Sequence, residues 1–113
     1  MFWDNYKLVE LGTRVSLDDF MKDEELKTKV KKGIIGLYSD TMNEVKRVID
    51  KTDEEAIWEL AKKGVISPNL IQELLDVISI IKNLDKLDDA IIYSMLVRIM
   101  ENLEQLYIAV TKS

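Results

Sequence analysis

The chain has 113 residues, of which 33% are charged, and its formal net charge is −5. This length suffices for one domain with its own core, which we place over residues 1–113. Cysteine and histidine are absent, which excludes disulfides, thiolate chemistry, common zinc sites and histidine-based acid–base catalysis. No apolar run reaches the roughly 20 residues of a membrane span, and the acidic balance is atypical of polyanion binders. We therefore expect a soluble, cytoplasmic protein that needs no cofactor and no metal.

Apolar residues recur at helical spacing almost throughout the chain, with only one proline and four glycines to interrupt them. This pattern predicts an all-α fold, an up-and-down bundle of four to five helices. The first helix begins near Trp3 or Asp4. Its end is open, because Ser16 can cap a fresh helix that starts with two aspartates in its first turn.

A second helix is predicted over residues 24–50 and contains two glycines, Gly33 and Gly36. Each glycine costs about 1 kcal/mol relative to alanine in an exposed helix interior. We interpret the pair as the place where a neighbouring helix approaches closely. The alternative is a kink at a binding groove.

Cap signals delimit a short third helix and begin the fourth. Thr52 and Glu55 have the spacing of a capping box, which predicts a helix start at Thr52. Gly64 can adopt the left-handed conformation that ends this helix. Ser67 and Pro68 then suggest an N-cap followed by a proline in the first helical position.

The last two helices, predicted over 68–83 and 88–111, have unusually wide apolar faces. Their apolar residues cover arcs of about 220° and 200°, whereas a helix on one side of a monomeric bundle needs about 100°. Both helices could be central in the bundle, but we favour a homodimer interface that adds to the core. The predicted interface comprises Leu70, Leu74, Val77, Ile78, Ile81, Ile92, Leu96, Ile99 and Leu103.

Two short segments carry a resemblance to a known family: LAKKGVI at 60–66 and LDDAIIY at 87–93. With the order of the predicted helices along nearly the whole chain, they resemble the HepT-like branch of the HEPN superfamily. That family consists of small all-α proteins encoded beside minimal nucleotidyltransferases, in toxin–antitoxin-like pairs. The resemblance implies a HEPN-like bundle and a partner of the nucleotidyltransferase type.

The ribonuclease motif of that family is incomplete in this chain. Active members carry an arginine, usually followed by asparagine, then a histidine and a tyrosine in the junction before the last helix. Lys82 and Asn83 stand where the arginine and asparagine would be, the histidine falls in a gap, and Leu84 lies near the tyrosine position. Lysine lacks the bidentate guanidinium fork that matches a phosphate. The resemblance therefore implies a pseudo-enzyme in which Lys82 and Asn83 are a remnant of the motif.

One function is preferred and two alternatives stay open. The preferred function is a non-catalytic homodimer that acts as a protein-association module, with a nucleotidyltransferase-type partner that the resemblance alone implies. The first alternative is a HepT-like toxin that cleaves RNA without histidine, using Lys82 beside the phosphate and Asp85 or Tyr93 as the proton carrier. The second is an unrelated helical bundle of unknown function.

Two charged clusters have simpler interpretations than a binding site. A basic run on the second helix could contact phosphates, but a solvated helix face explains it better. Three aspartates near the start of the last helix could converge on a metal, but helix capping explains Asp88 and Asp89 without one. The run comprises Lys27, Lys29, Lys31 and Lys32, and the aspartates are Asp85, Asp88 and Asp89.

The aromatic residues could form platforms on which bases stack. Most of them, however, have the helical spacing of core residues: Tyr6, Tyr38, Trp58, Tyr93 and Tyr107. The terminal pair Phe2 and Trp3 is the exception, and we expect it to be docked on the bundle.

Overall fold

The computed structural model of the chain describes residues 1–112, which form helices and connecting segments without a strand. The helices are α1 (Phe2–Thr13), α2 (Leu17–Lys22), α3 (Glu24–Val48), α4 (Asp53–Lys62), α5 (Asn69–Lys82) and α6 (Asp89–Thr111), and a 3-10 turn, Leu84–Lys86, precedes α6. The all-α prediction is confirmed. The helix count exceeds the predicted four to five because the Ser16 hydroxyl accepts a hydrogen bond from the Asp19 amide (3.2 Å) and starts α2 as a separate helix.

The four longer helices α1, α3, α5 and α6 form the bundle, and α2 and α4 are short connecting helices. Phe2 stacks on Tyr107 at 3.9 Å, whereas Gly12 lies against Leu96, so α1 runs antiparallel to α6. The short connection between α5 and α6 makes this pair antiparallel as well. None of the helices in residues 1–112 combines the length and apolar character needed to cross a bilayer.

Gly33 and Gly36 allow α1 to lie directly on α3, as predicted. A Cβ atom at Gly33 would lie 2.8 Å from the Leu8 Cβ and 3.1 Å from the Asn5 carbonyl oxygen. At Gly36 it would meet the Asn5 side chain, which donates a hydrogen bond to Asp40 (2.8 Å). α3 continues as one α-helix through both glycines, so they mark a close helix contact.

Most of the wide apolar faces of α5 and α6 is buried within a single chain. Of the nine residues predicted to form a homodimer interface, eight are at most 9% exposed: Leu74, Val77, Ile78, Ile81, Ile92, Leu96, Ile99 and Leu103. The ninth, Leu70, is half-buried and packs against the core. Both helices are thus central in the bundle, the alternative to the favoured interface. A second copy of the chain could not reach these eight side chains and would have to bind through other residues.

The core has two parts that share α3, α5 and α6. One part surrounds α1 and α2 and includes Phe2, Val9 and Phe20. The other lies under α4 and includes Ala56, Ile57 and Leu60. Trp58 lies between these α4 residues in the sequence but faces outward and is 53% exposed. The prediction that Trp58 is a core residue is therefore wrong.

The terminal aromatic pair divides between core and surface. Phe2 is docked as predicted, since it is only 2% exposed. Trp3 packs its edge on Phe2 with ring centroids 4.8 Å apart, but it remains 46% exposed. Only half of the pair therefore contributes to the buried core.

The capping box predicted at the start of α4 does not form. Thr52 is the N-cap residue, but its side chain makes no cap hydrogen bond. Asp53 has φ +55°, a left-handed conformation, and this departs from the regular first turn that brings the Thr52 oxygen to the Glu55 amide. The Glu55 carboxylate instead lies 3.9 Å from the Lys51 ammonium group.

The end of α4 matches its prediction. Gly64 has φ +75°, the Val65 amide donates to the Leu60 carbonyl (2.9 Å), and the Gly64 amide donates to the Ala61 carbonyl (3.1 Å). This is a Schellman motif. The Ser67 hydroxyl then accepts from the Asn69 amide (3.2 Å), so the serine caps α5 from one residue before the assigned N-cap residue, Pro68.

Candidate functional site at the junction between α5 and α6

Lys82 and Asn83, the predicted motif remnant, both make contacts that hold the fold together. The Lys82 ammonium group donates to Glu54 of α4 at 2.8 Å. The Asn83 side-chain amide donates to the Ser79 carbonyl in the last turn of α5, also at 2.8 Å. Lys82 thus connects α5 to α4, and the Asn83 side chain gives a second hydrogen bond to a helix-end carbonyl that the Asn83 backbone amide also contacts.

The Lys82–Glu54 pair keeps both residues charged at neutral pH. The hydrogen bond to Glu54 raises the pKa of Lys82 above its ordinary value, and the same bond lowers the pKa of Glu54. A general acid or base works best with a pKa near the working pH. Both pKa values are thus moved further from pH 7, as expected for an ion pair and not for a proton carrier.

The other residues of the hypothetical RNA-cleaving site have separate environments. Leu84, near the tyrosine position of the family motif, is 5% exposed and belongs to the core. The Tyr93 hydroxyl donates to the Val15 carbonyl (2.5 Å), and its ring packs on Phe20. Asp85 lies in the exposed 3-10 turn. Within residues 1–112, no hydrogen bond connects Lys82 to Asp85 or Tyr93.

A tyrosine–carboxylate contact that sequence reasoning missed lies beside Glu54. The Tyr38 hydroxyl of α3 donates to Asp53, the residue with the left-handed backbone. Burial, followed by the contact with Asp53, raises the pKa of Tyr38 above its ordinary value, so the hydroxyl stays protonated. No sequence signal marks this pair, because the spacing of Tyr38 is also that of a core residue.

The basic run on α3 is only partly a solvated face. Lys27 is 8% exposed, donates to the Met21 carbonyl (2.9 Å) and contacts Asp89 at 3.2 Å. Lys31 contacts the same carboxylate at 2.7 Å. Lys29 and Lys32 are exposed, as predicted. Lys27 is buried because it connects α2, α3 and α6 and has a partner for its charge.

The three aspartates before α6 do not all act as caps. Asp88 occupies the N-cap position, but its side chain makes no cap hydrogen bond. Asp89, in the first turn of α6, binds the two lysines of α3 instead. In residues 1–112 no group of three or more histidine, cysteine or acidic side chains is placed to hold a metal.

The Asp89 contact predicts a pH dependence of stability. The hydrogen bond to Lys31, with that to Lys27, lowers the pKa of Asp89, so the folded state binds this proton more weakly than the unfolded state. The resulting stabilisation is present above the unfolded pKa of about 4 and is lost as the pH falls through the folded value. We expect Asp89→Asn to lower the urea midpoint at pH 7, and the gap from the wild type to close as the pH falls below about 4. A constant gap between pH 7 and pH 2.5 would mean that the charge of Asp89 is not responsible.

Fold and junction together define an all-α helical bundle whose junction residues are held in structural contacts. Comparisons of the chain with protein-family models, curated proteins and solved structures found no match.

Proposed function

We propose that this chain is a non-catalytic helical module that acts by binding another protein. One observation carries the proposal: Lys82 is neutralised by Glu54 in the junction where the resembled family keeps its ribonuclease motif. The buried Leu84 beside it offers no proton donor. RNA cleavage requires a proton carrier and a cation available to the phosphate. Neither requirement is met by this pair of residues.

The resemblance to HepT-like proteins supports a minimal nucleotidyltransferase as the first partner to test. The wide apolar faces do not support a homodimer, because one chain already covers them. We therefore propose association with a different protein as the main role. Self-association would have to use a surface other than the buried faces of α5 and α6.

An RNA-cleavage assay tests the non-catalytic part of the proposal. We expect the purified protein to leave mixed transfer and messenger RNA intact, with gel electrophoresis as the readout. Lys82→Ala is the critical variant, and Lys62→Ala, another lysine in the last turn of a helix, is its control. Cleavage that disappears in Lys82→Ala and persists in Lys62→Ala would show that the junction is an active site and would refute the proposal.

A further inference from the structure

A group of aromatic rings, the exposed Trp3 and the half-buried Tyr6 and Tyr107, lies where α1 crosses the C-terminal half of α6. We call it, with the acidic residues around it, the aromatic–acidic face, which comprises Trp3, Tyr6, Glu10, Glu101, Glu104 and Tyr107. The Trp3 ring lies 5.3 Å from Tyr6 and 6.3 Å from Tyr107, edge to face in both cases. The buried Phe2, stacked on Tyr107 at 3.9 Å, supports the group from below. The rings are thus held in place, although Trp3 is 46% exposed.

The Tyr6 hydroxyl lies at the acidic edge of this group. This hydroxyl donates to Glu104 at 3.1 Å. Burial raises the pKa of Tyr6, and the negative charges of Glu104, Glu10 and Glu101 raise it further. Glu104 thus contacts the Tyr6 hydroxyl directly, whereas Glu10 and Glu101 act on it only through their charge.

Cations balance little of this negative charge. Arg14 lies 3.3 Å from Glu10, but Glu101 and Glu104 have no ion pair within residues 1–112. The one cation of α6, Arg98, contacts Glu73 (2.6 Å) and Asp76 (2.8 Å) of α5. Arg98 of α6 thus pairs with acidic residues of α5, whereas Glu104, which accepts from Tyr6 of α1, has no ion pair within residues 1–112.

We propose that the aromatic–acidic face is a docking surface for a lysine- or arginine-rich segment of another protein. A basic side chain that lies on Trp3 gains a cation–π contact, and its charged end is then attracted by the carboxylates at the rim. Exposed tryptophan is also the residue type that contributes most often to binding hot spots. This inference rests on the proposed function, since it names the surface and the chemistry of the partner.

The charge of the face argues against other occupants. Nucleic acids and anionic membranes carry negative charge, which Glu101 and Glu104 repel. A second copy bound through a two-fold axis would place this face against itself and bring like charges together. Only a cationic partner satisfies both the rings and the carboxylates.

A peptide-binding experiment tests the inference. The probe is a fluorescein-labelled amphipathic peptide of lysine and leucine, and its twin has glutamate in place of every lysine. Fluorescence anisotropy with the full chain should show binding of the basic peptide that weakens with added salt, and at least about tenfold weaker binding of the acidic twin. We expect Trp3→Ala to weaken binding of the basic peptide about tenfold, and the double variant Glu101→Gln with Glu104→Gln to weaken it and reduce its salt dependence.

Matched controls separate this surface from general attraction to a negatively charged protein. Trp58→Ala removes a tryptophan of similar exposure on α4, and Glu59→Gln removes a nearby carboxylate. Both controls should bind the basic peptide like the wild type, and circular dichroism should show that all variants are folded. Equal losses in Trp3→Ala and Trp58→Ala, or no binding of the basic peptide at all, would overturn the inference.

The two proposals can fail independently. If a nucleotidyltransferase co-purifies with the wild type and equally with the Trp3 and Glu101/Glu104 variants, the protein binds a partner, but through another surface. RNA cleavage that depends on Lys82 would instead refute the proposed function and leave the peptide result to stand alone.

Discussion

Replacing Ile99 with aspartate is expected to unfold the protein. Ile99 is fully buried in the part of the core that α1, α3 and α6 share. Loss of the isoleucine side chain alone costs about 2–5 kcal/mol, and an unpaired carboxylate in an apolar site adds several more. A domain of this size has a free energy of unfolding of about 5–15 kcal/mol. Circular dichroism of Ile99→Asp at 25 °C should therefore show loss of most of the helical signal, and so should Leu74→Asp in the other part of the core.

Val97→Asp is the matched control, because it places the same charge in the same helix. Val97 is 53% exposed and makes no contribution to the buried core. Surface substitutions away from special features usually change stability by about 0.5 kcal/mol or less. We expect a folded protein with a nearly unchanged urea midpoint. If Ile99→Asp also remained folded, the inward face of α6 would be wrongly assigned.

Local signals predicted most helix boundaries correctly. Gly64 ends α4 as predicted, and Ser16, which the sequence left as one of two possibilities, begins α2. Each acts through contacts with residues only a few positions away. Such contacts depend on short-range geometry, which the sequence encodes directly. The capping box at Thr52 failed because Asp53 has a left-handed backbone and its carboxylate binds Tyr38 of another helix. A tertiary contact thus overrode a local preference.

The width of an apolar face could not reveal what covers it. α5 and α6 have faces that fit either a central position or a subunit interface, and only the assembled bundle distinguishes the two. Ile78 and Ile99 are fully buried by neighbouring helices of the same chain. The deciding information is the number of helices around each one. That number follows from the whole fold. The sequence left open whether α2 is a separate helix, although its Phe20 is fully buried in the core.

The contacts at the candidate sites were also hidden from the sequence. Asp89 was expected to cap a helix, and Lys27 was expected to lie on a solvated face, but the fold brings them within 3.2 Å of each other. Residue type predicted that Lys82 would be positively charged. It could not predict that Glu54 of α4 would pair with that charge. Long-range charge pairing depends on helix packing, which no local pattern encodes.

Gly33→Ala is expected to destabilise the protein even though alanine favours helices. At an exposed helix position this change would stabilise by about 1 kcal/mol. Here the new Cβ would lie 2.8 Å from the Leu8 Cβ and 3.1 Å from the Asn5 carbonyl oxygen, and both atoms move only if α1 moves. Overpacking of this kind costs about 1–3 kcal/mol. We expect a net loss of up to about 2 kcal/mol for Gly33→Ala and a larger loss for Gly33→Val, measured by urea unfolding.

Ser39 provides the comparison, because it is exposed on the same helix. Ser39→Ala should be slightly stabilising and Ser39→Val nearly neutral, because serine and valine have similar helix propensities. The difference between the Gly33 and Ser39 series then isolates the contact between α1 and α3. If Gly33→Ala stabilised the protein as much as an exposed glycine replacement does, α1 could not lie against α3 at this distance. The packing that supports the aromatic–acidic face would then be wrong as well, since α1 contributes Trp3 and Tyr6 to that face.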